Sequence, residues 1–239
     1  MIWDESKHPR DEMGRFTDGS SMAQEYKPNP EIEKLKGESI ESLKLLASRN
    51  VLPKKVFSDG QDTNSYFNTK TQQRWENSLT QSQKDTIYSY TNDGYKDINY
   101  FLRYNDNIGQ TSKSEVLRQI SEIDKALESS VLYENIQVYR AVDSTIFYWN
   151  NDVSELEGQF FDDKAYMSST PTLDSEALTQ DTILTITVPK GMGNGAYINN
   201  ISKYKNQEYE FLIPRNKRFR INKAYKEKDT YKIEMEMLK

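Results

Sequence analysis

The sequence predicts an α+β fold, and three observations carry that prediction. Apolar residues recur with a period near four in the first half of the 239-residue chain, the period changes to two after Tyr133, and no internal repeat is visible. Helices first and strands afterwards place the chain in the α+β class. Residues 1–30 are polar, with Gly14, Gly19 and three prolines, and read as an arm or linker. Residues 31–239 read as a single domain, helical over 31–132 and β-rich over 133–239.

Taken in order, Ile32, Leu35, Leu43, Leu46 and Ala47 predict an amphipathic helix over 31–49, less regular around Gly37. A stronger helix is predicted over 112–130, where Val116, Ile120, Ile123 and Leu127 share a face and Ser112 or Ser114 stands where a cap is needed. Strands are predicted at 136–142, 165–169, 182–188, 196–198, 209–213, 218–222 and 230–238. In the last of these, Tyr231, Ile233, Met235 and Met237 alternate with Lys232, Glu234 and Glu236.

Composition excludes several chemistries. The mean hydropathy of −0.89 and the lack of a long apolar stretch exclude a membrane-spanning helix. With no cysteine and a single histidine there is no thiolate nucleophile, disulfide framework or thiolate or multi-histidine metal centre, so catalysis must run on carboxylates, hydroxyls and guanidinium. His8 lies in a polar stretch and reads as a solvated residue. Residues 1–16 are charged and lack an apolar core, so no signal peptide is expected.

Charge is uneven along the chain. Residues 199–239 hold 11 basic and 6 acidic side chains, a net of +5 within an overall −5. Most of the excess surrounds Arg215-Asn216-Lys217-Arg218-Phe219-Arg220. That pattern fits a solvated strand face with Phe219 and Ile221 inward, or a surface for nucleic acid or an acidic protein.

Three patterns carry chemistry. Glu208 and Glu210 are one residue apart, and strand alternation puts both carboxylates on one face with Tyr209, Phe211 and Ile213 on the other. Like charges that close tend to split their pKa values, as acid/base chemistry on a sugar requires, although an acidic edge strand has the same pattern. Upstream, Ile136, Val138, Arg140 and Val142 share a face, so Arg140 stands among core-facing side chains and needs an anion, from a structural salt bridge or from a ligand phosphate. Between them lies Ser168-Ser169-Thr170, whose hydroxyls suit holding a carboxylate and touching a ribose, or simply end a strand.

In the order Arg140, Ser168-Ser169-Thr170, Glu208-Tyr209-Glu210, the chain resembles the arginine/serine/glutamate class of mono-ADP-ribosyltransferases, that of iota-like and vegetative insecticidal toxins. Two further segments are similar to family elements. Tyr90-Thr91-Asn92-Asp93-Gly94-Tyr95, continuing through Asn99 to Arg103, resembles the helical segment that closes over the dinucleotide; 185–191 with Gly195-Ala196-Tyr197-Ile198 resembles the run into the acceptor-presenting loop. The resemblance spans roughly residue 72 to the C-terminus. The chain departs from the pattern in having Ser-Ser-Thr for Ser-Thr-Ser, and in lacking an arginine between Thr170 and Ile183, where many relatives place a second phosphate-binding one.

The resemblance implies an ADP-ribosyltransferase fold, two packed β-sheets around an NAD cleft with N-terminal helices. It implies NAD as substrate and no metal. Arg140 would pair with an NAD phosphate, Ser168 would hold Glu210 and the ribose, Glu210 would meet the ribose 2′-hydroxyl, and Tyr90 or Tyr95 with Asn99 would line the nicotinamide end. Glu208 would serve the acceptor, which favours an arginine of a target protein, such as actin or a bacterial protein, with NAD hydrolysis as a side reaction. Nucleic acid is the alternative acceptor, and a non-catalytic structural module the alternative class. Separately, the segment from His8 to Gly19 resembles a short motif of phage head-morphogenesis proteins. Action in the producing cell's cytoplasm, or after delivery as a toxin or phage effector, is the corresponding expectation.

Overall fold

Among the described residues, most helix starts are set by short polar side chains. The computed structural model describes residues 54–106 and 111–238. In it, Asp59 accepts from the backbone of Asp62 to open α1 (Gly60–Phe67), Thr69 does the same for α2 (Lys70–Ser78), and Thr80 forms a reciprocal capping box with Gln83 at α3 (Gln81–Ser89). One π-helical turn, Tyr90–Gly94, leads into α4 (Tyr95–Tyr104). Ser112 caps α5 (Lys113–Glu128), which buries Val116, Ile120, Ile123 and Leu127 as their spacing predicts. The arm over 1–30, its phage-like motif, His8 and the helix predicted over 31–49 lie outside the described residues.

Strands follow: β1 (Val131–Leu132), β2 (Ile136–Val142), β3 (Phe160–Asp163), β4 (Met167–Ser169), β5 (Thr182–Val188), β6 (Gly191–Met192), β7 (Ala196–Tyr197), β8 (Phe211–Ile213), β9 (Lys217–Glu227) and β10 (Thr230–Met237). One sheet has the order β2-β5-β10-β9-β3, antiparallel except for the parallel pair β5 and β10. A second sheet is β4-β8-β7, and β1 pairs with β6. The arrangement is α+β.

Two predicted strands need correction. The strand expected over 218–222 runs on to Glu227, because Asn222 is bulged out of the register between Ile221 and Lys223 and the ladder resumes beyond it. The strand expected over 209–213 starts only at Phe211, since Tyr209 has φ +50° and so leaves the extended conformation. Glu208 and Glu210 are therefore not alternate positions of a regular strand.

Burial on both faces shapes β8. Phe211 and Ile213 join the core of the five-stranded sheet, with Val138, Leu184, Phe219 and Ile233, while Leu212 packs into the helical core with Ile87, Ile98, Ile120 and Leu127. The small sheet is thus the middle layer between the large sheet and the helices. An isolated bridge fastens the two sheets: Tyr139 N donates to Thr170 O at 2.6 Å and Thr170 N to Tyr139 O at 2.8 Å. That bridge brings the middle of β2 against the end of β4, and the site forms there.

Candidate active site

Tyr90, Tyr95, Asn99, Arg140, Ser168, Glu208 and Glu210 all border one cleft of about 330 Å³. They come from the π-turn and α4, from β2, from β4 and from the segment before β8, so the fold gathers residues up to 120 positions apart. The volume falls within the range of small-molecule sites.

Glu210 is the centre of this cleft. It is 3% exposed, and its two oxygens are held separately, one by the Ser168 hydroxyl and the other by Ser202 Oγ at 2.9 Å. Burial pushes its carboxyl up to about 7; the two serine hydroxyls pull it down, nearby Glu208 adds to the rise, and Arg140 opposes it. Its backbone carbonyl accepts from Ile198 N at 2.9 Å, which ties it to the small sheet. Glu208 is half-buried, and burial, with a contribution from Glu176, raises its carboxyl as well.

Across the cleft, Arg140 Nη1 donates to Ser168 O at 2.6 Å, which fixes the guanidinium beside the serine that grips Glu210. Burial holds Arg140 below the ordinary arginine value, so the charge is incompletely compensated. Among the described residues Arg140 forms no ion pair. Asp163, which favours the charged form of Arg140, takes a bidentate pair from Arg103 instead, with Nε to Oδ1 at 3.1 Å and Nη2 to Oδ2 at 2.8 Å. The structural salt bridge that sequence alone allowed is thus made by Arg103, and Arg140 keeps the N–H groups not bound to Ser168 O for an anion in the cleft.

The π-turn and α4 contribute two aromatic rings and an amide to the cleft. Asn99 Nδ2 donates to Tyr90 Oη at 3.1 Å and to Tyr166 O at 3.3 Å, fixing a buried amide, while burial pushes the Tyr90 phenol well above its usual range. The Tyr95 ring meets Tyr90 edge-on at 6.4 Å and is 42% exposed at the mouth. Flat apolar faces beside a fixed amide suit an aromatic amide.

The hydroxyl run divides its work. Ser168 reaches Glu210, but Ser169 Oγ donates to Phe211 O at 2.7 Å and Thr170 accepts from Thr172 N at 3.4 Å, so those two hold the fold. Ser202, Arg103 and Tyr204 were not anticipated from the sequence. Ser202 follows a 3₁₀ turn, Asn199–Ile201, in irregular chain whose sequence has no period to flag it. Between Thr170 and Ile183 the cleft is lined by Ala177 and Leu178, which are apolar.

The basic run offers little free charge. Arg215 pairs with Asp124, Arg218 with Asp162 and Arg220 with Glu236, while Phe219 and Ile221 are buried. This is the geometry of a strand face laced with ion pairs. Among the described residues no group of acids and histidine could hold a metal ion, and no helix is long and apolar enough to cross a membrane.

Comparison with known proteins agrees in one direction. The family model of the ADP-ribosyltransferase exoenzyme matches residues 64–239. Among solved structures, the C3larvin toxin, an ADP-ribosyltransferase from Paenibacillus larvae, is 30% identical over 70% of this chain and 92% of its own, with a TM-score of 0.56. Plx2a, an ADP-ribosyltransferase toxin from the same organism, is 26% identical over 78% of this chain and 100% of its own, with a TM-score of 0.66. BECa, an ADP-ribosylating toxin of a binary enterotoxin of C. perfringens solved with NADH, is 22% identical over 77% of this chain and 50% of its own, at a TM-score of 0.67. No curated protein matches.

Proposed function

The chain belongs to the ADP-ribosyltransferase exoenzyme family, whose members move ADP-ribose from NAD to an acceptor, and within that activity we propose that it modifies an arginine side chain of a target protein. The observation that carries the reading is the pair of carboxylates in unlike settings: Glu210 buried and held at both oxygens, Glu208 half-buried at the same cleft.

In this reading the bond between nicotinamide and ribose breaks with its electron pair leaving on the nicotinamide nitrogen, and a cation develops on the ribose. Ionised Glu210, fixed before the substrate arrives, stabilises that cation from the 2′-hydroxyl side. Its raised pKa falls as positive charge approaches, so the carboxylate is ionised when it is needed. Arg140 pairs with the pyrophosphate through the N–H groups that Ser168 O does not engage. Tyr90, Tyr95 and Asn99 receive the nicotinamide. A guanidinium attacks poorly until it loses a proton, and Glu208, whose carboxylate can take that proton, supports arginine as acceptor. Water in place of the acceptor gives NAD hydrolysis.

The toxin relatives make a protein acceptor the better fit, and in this reading it is actin or a bacterial protein, met either inside the producing cell or after delivery. Incubating the chain with labelled NAD and cell lysate, followed by mass spectrometry of the labelled peptides, tests this. ADP-ribose on arginine is the expected result. Label on another residue type would refute arginine specificity, and label that survives protease but not nuclease would move the acceptor to nucleic acid.

A further inference from the structure

The segment that carries Glu208 is irregular, and something must hold it. Facing residues 197–206 is a set of polar side chains, Asn64 from α1, Asn68 that caps its C-terminal end, and Gln72 and Glu76 one turn apart on α2. Asn64 Oδ1 accepts from Tyr197 Oη at 2.8 Å and from Asn199 Nδ2 at 3.3 Å, and its own amide donates to Asn206 Oδ1 at 3.2 Å. Asn199 closes the ring, its amide reaching Asn206 Oδ1 at 3.0 Å while its oxygen accepts from Asn206 N at 2.8 Å. Gln72 Nε2 donates to Tyr197 O at 2.7 Å, and Asn200 Nδ2 donates to Asn68 at 3.2 Å and Glu76 at 2.9 Å.

We infer that this set is a mount for residues 199–208, and that Asn64 and Asn206 are positioning residues for the acceptor half of the reaction. The inference rests on the reading of Glu208 given above. Asn206 has φ +61° and lies two residues before Glu208, so the asparagine ring sets where the chain turns toward the cleft. Glu210 keeps two anchors outside residues 199–208, the Ser168 hydroxyl and the bond from Ile198 N, and Ser202 within that span is pinned separately through its neighbour Lys203, whose N–H donates to Thr91 Oγ1 at 2.9 Å. Releasing the ring displaces Glu208 and leaves Glu210 in place. Neither asparagine borders the cleft. Dense side-chain amide bonding of this kind costs entropy to assemble, which a merely solvated loop has no reason to meet.

The test compares Asn64→Ala and Asn206→Gly with the full-length parent. Glycine keeps the positive φ at 206 and removes only the side chain. Transfer to agmatine as a guanidine probe, NAD hydrolysis and tryptic cleavage after the exposed Lys203 and Lys205 are measured together with Tm. A misplacement near 1 Å lowers a positioned reaction by up to about a hundredfold, so transfer should fall about ten- to a hundredfold while hydrolysis stays within about twofold. Cleavage after Lys203 and Lys205 should accelerate about tenfold, the Asn64 and Asn206 variants behaving alike. Unchanged cleavage in both variants overturns the mount, and equal loss of transfer and hydrolysis overturns its selectivity for the acceptor half. If the parent hydrolyses NAD but leaves agmatine unmodified, the arginine reading fails and the cleavage rates alone decide whether the mount exists.

Discussion

Replacing Glu210 by glutamine should stabilise the protein at alkaline pH and not at acid pH. The folded state holds this carboxyl at about 7 against an ordinary 4.5, chiefly because it is buried. Between those values the folded state binds more protons than the unfolded one, so unfolding free energy falls as pH rises through that window. Below pH 4.5 the penalty is absent, and above about 7 it is fully present. At 1.36 kcal/mol per pH unit the full penalty is about 3 kcal/mol. Glutamine is neutral at every pH, and its amide oxygen still accepts from one serine, while rearranging the other hydrogen bond costs about 1 kcal/mol. The net gain is about 2 kcal/mol at pH 8.5, or about 5 °C in Tm for a chain of this size, with no gain or a small loss at pH 5. Urea denaturation of both proteins at the two pH values measures it. A difference independent of pH, or a destabilised variant at pH 8.5, would show that Glu210 is not the strained group its burial implies.

Other consequences follow from the same geometry. NAD cleavage at low substrate should rise with pH through a limb near 7 as Glu210 ionises, and a kcat/KM profile flat from pH 5.5 to 8.5 would contradict that assignment. Ser202→Ala removes one of the hydrogen bonds that favour the ionised form, so the limb should move to higher pH; an unmoved limb would make Ser202 a bystander. Arg140→Lys keeps the charge but loses the fork, and should raise the KM for NAD about tenfold, the worth of one charge-assisted bond; an unchanged KM in initial-rate assays would remove Arg140 from the phosphate site.

Much of the fold could be read from the sequence where one face of an element is buried and the other wet. The alternation of Tyr231 to Met237 and the four-residue spacing of Val116, Ile120, Ile123 and Leu127 both appear as expected. Periodicity fails where both faces are buried, as at Phe211, Leu212 and Ile213, each 0% exposed. It is also silent for α1, α2 and α3, which are short and polar; their legible feature was the capping series Asp59, Thr69 and Thr80. Within the site, ordered motifs named residues that do border one cleft, but not the reason Glu208 and Glu210 face it together. The strand argument for that pair was wrong, because Tyr209 sits at positive φ and the turn, not a pleat, aims both acids. Ser202 and the pairing of Arg103 with Asp163 depend on contacts 8 and 60 positions away in sequence, which no local pattern encodes.

The division of labour between the two glutamates is tested most directly by Glu208→Gln. Measured side by side on one preparation, NAD hydrolysis should remain within about threefold of the parent while transfer to arginine falls by a hundredfold or more, since water needs less help than a guanidinium in losing its proton. If hydrolysis falls together with transfer, to the level of Glu210→Gln, the two carboxylates act as one unit and Glu208 is not the acceptor's base.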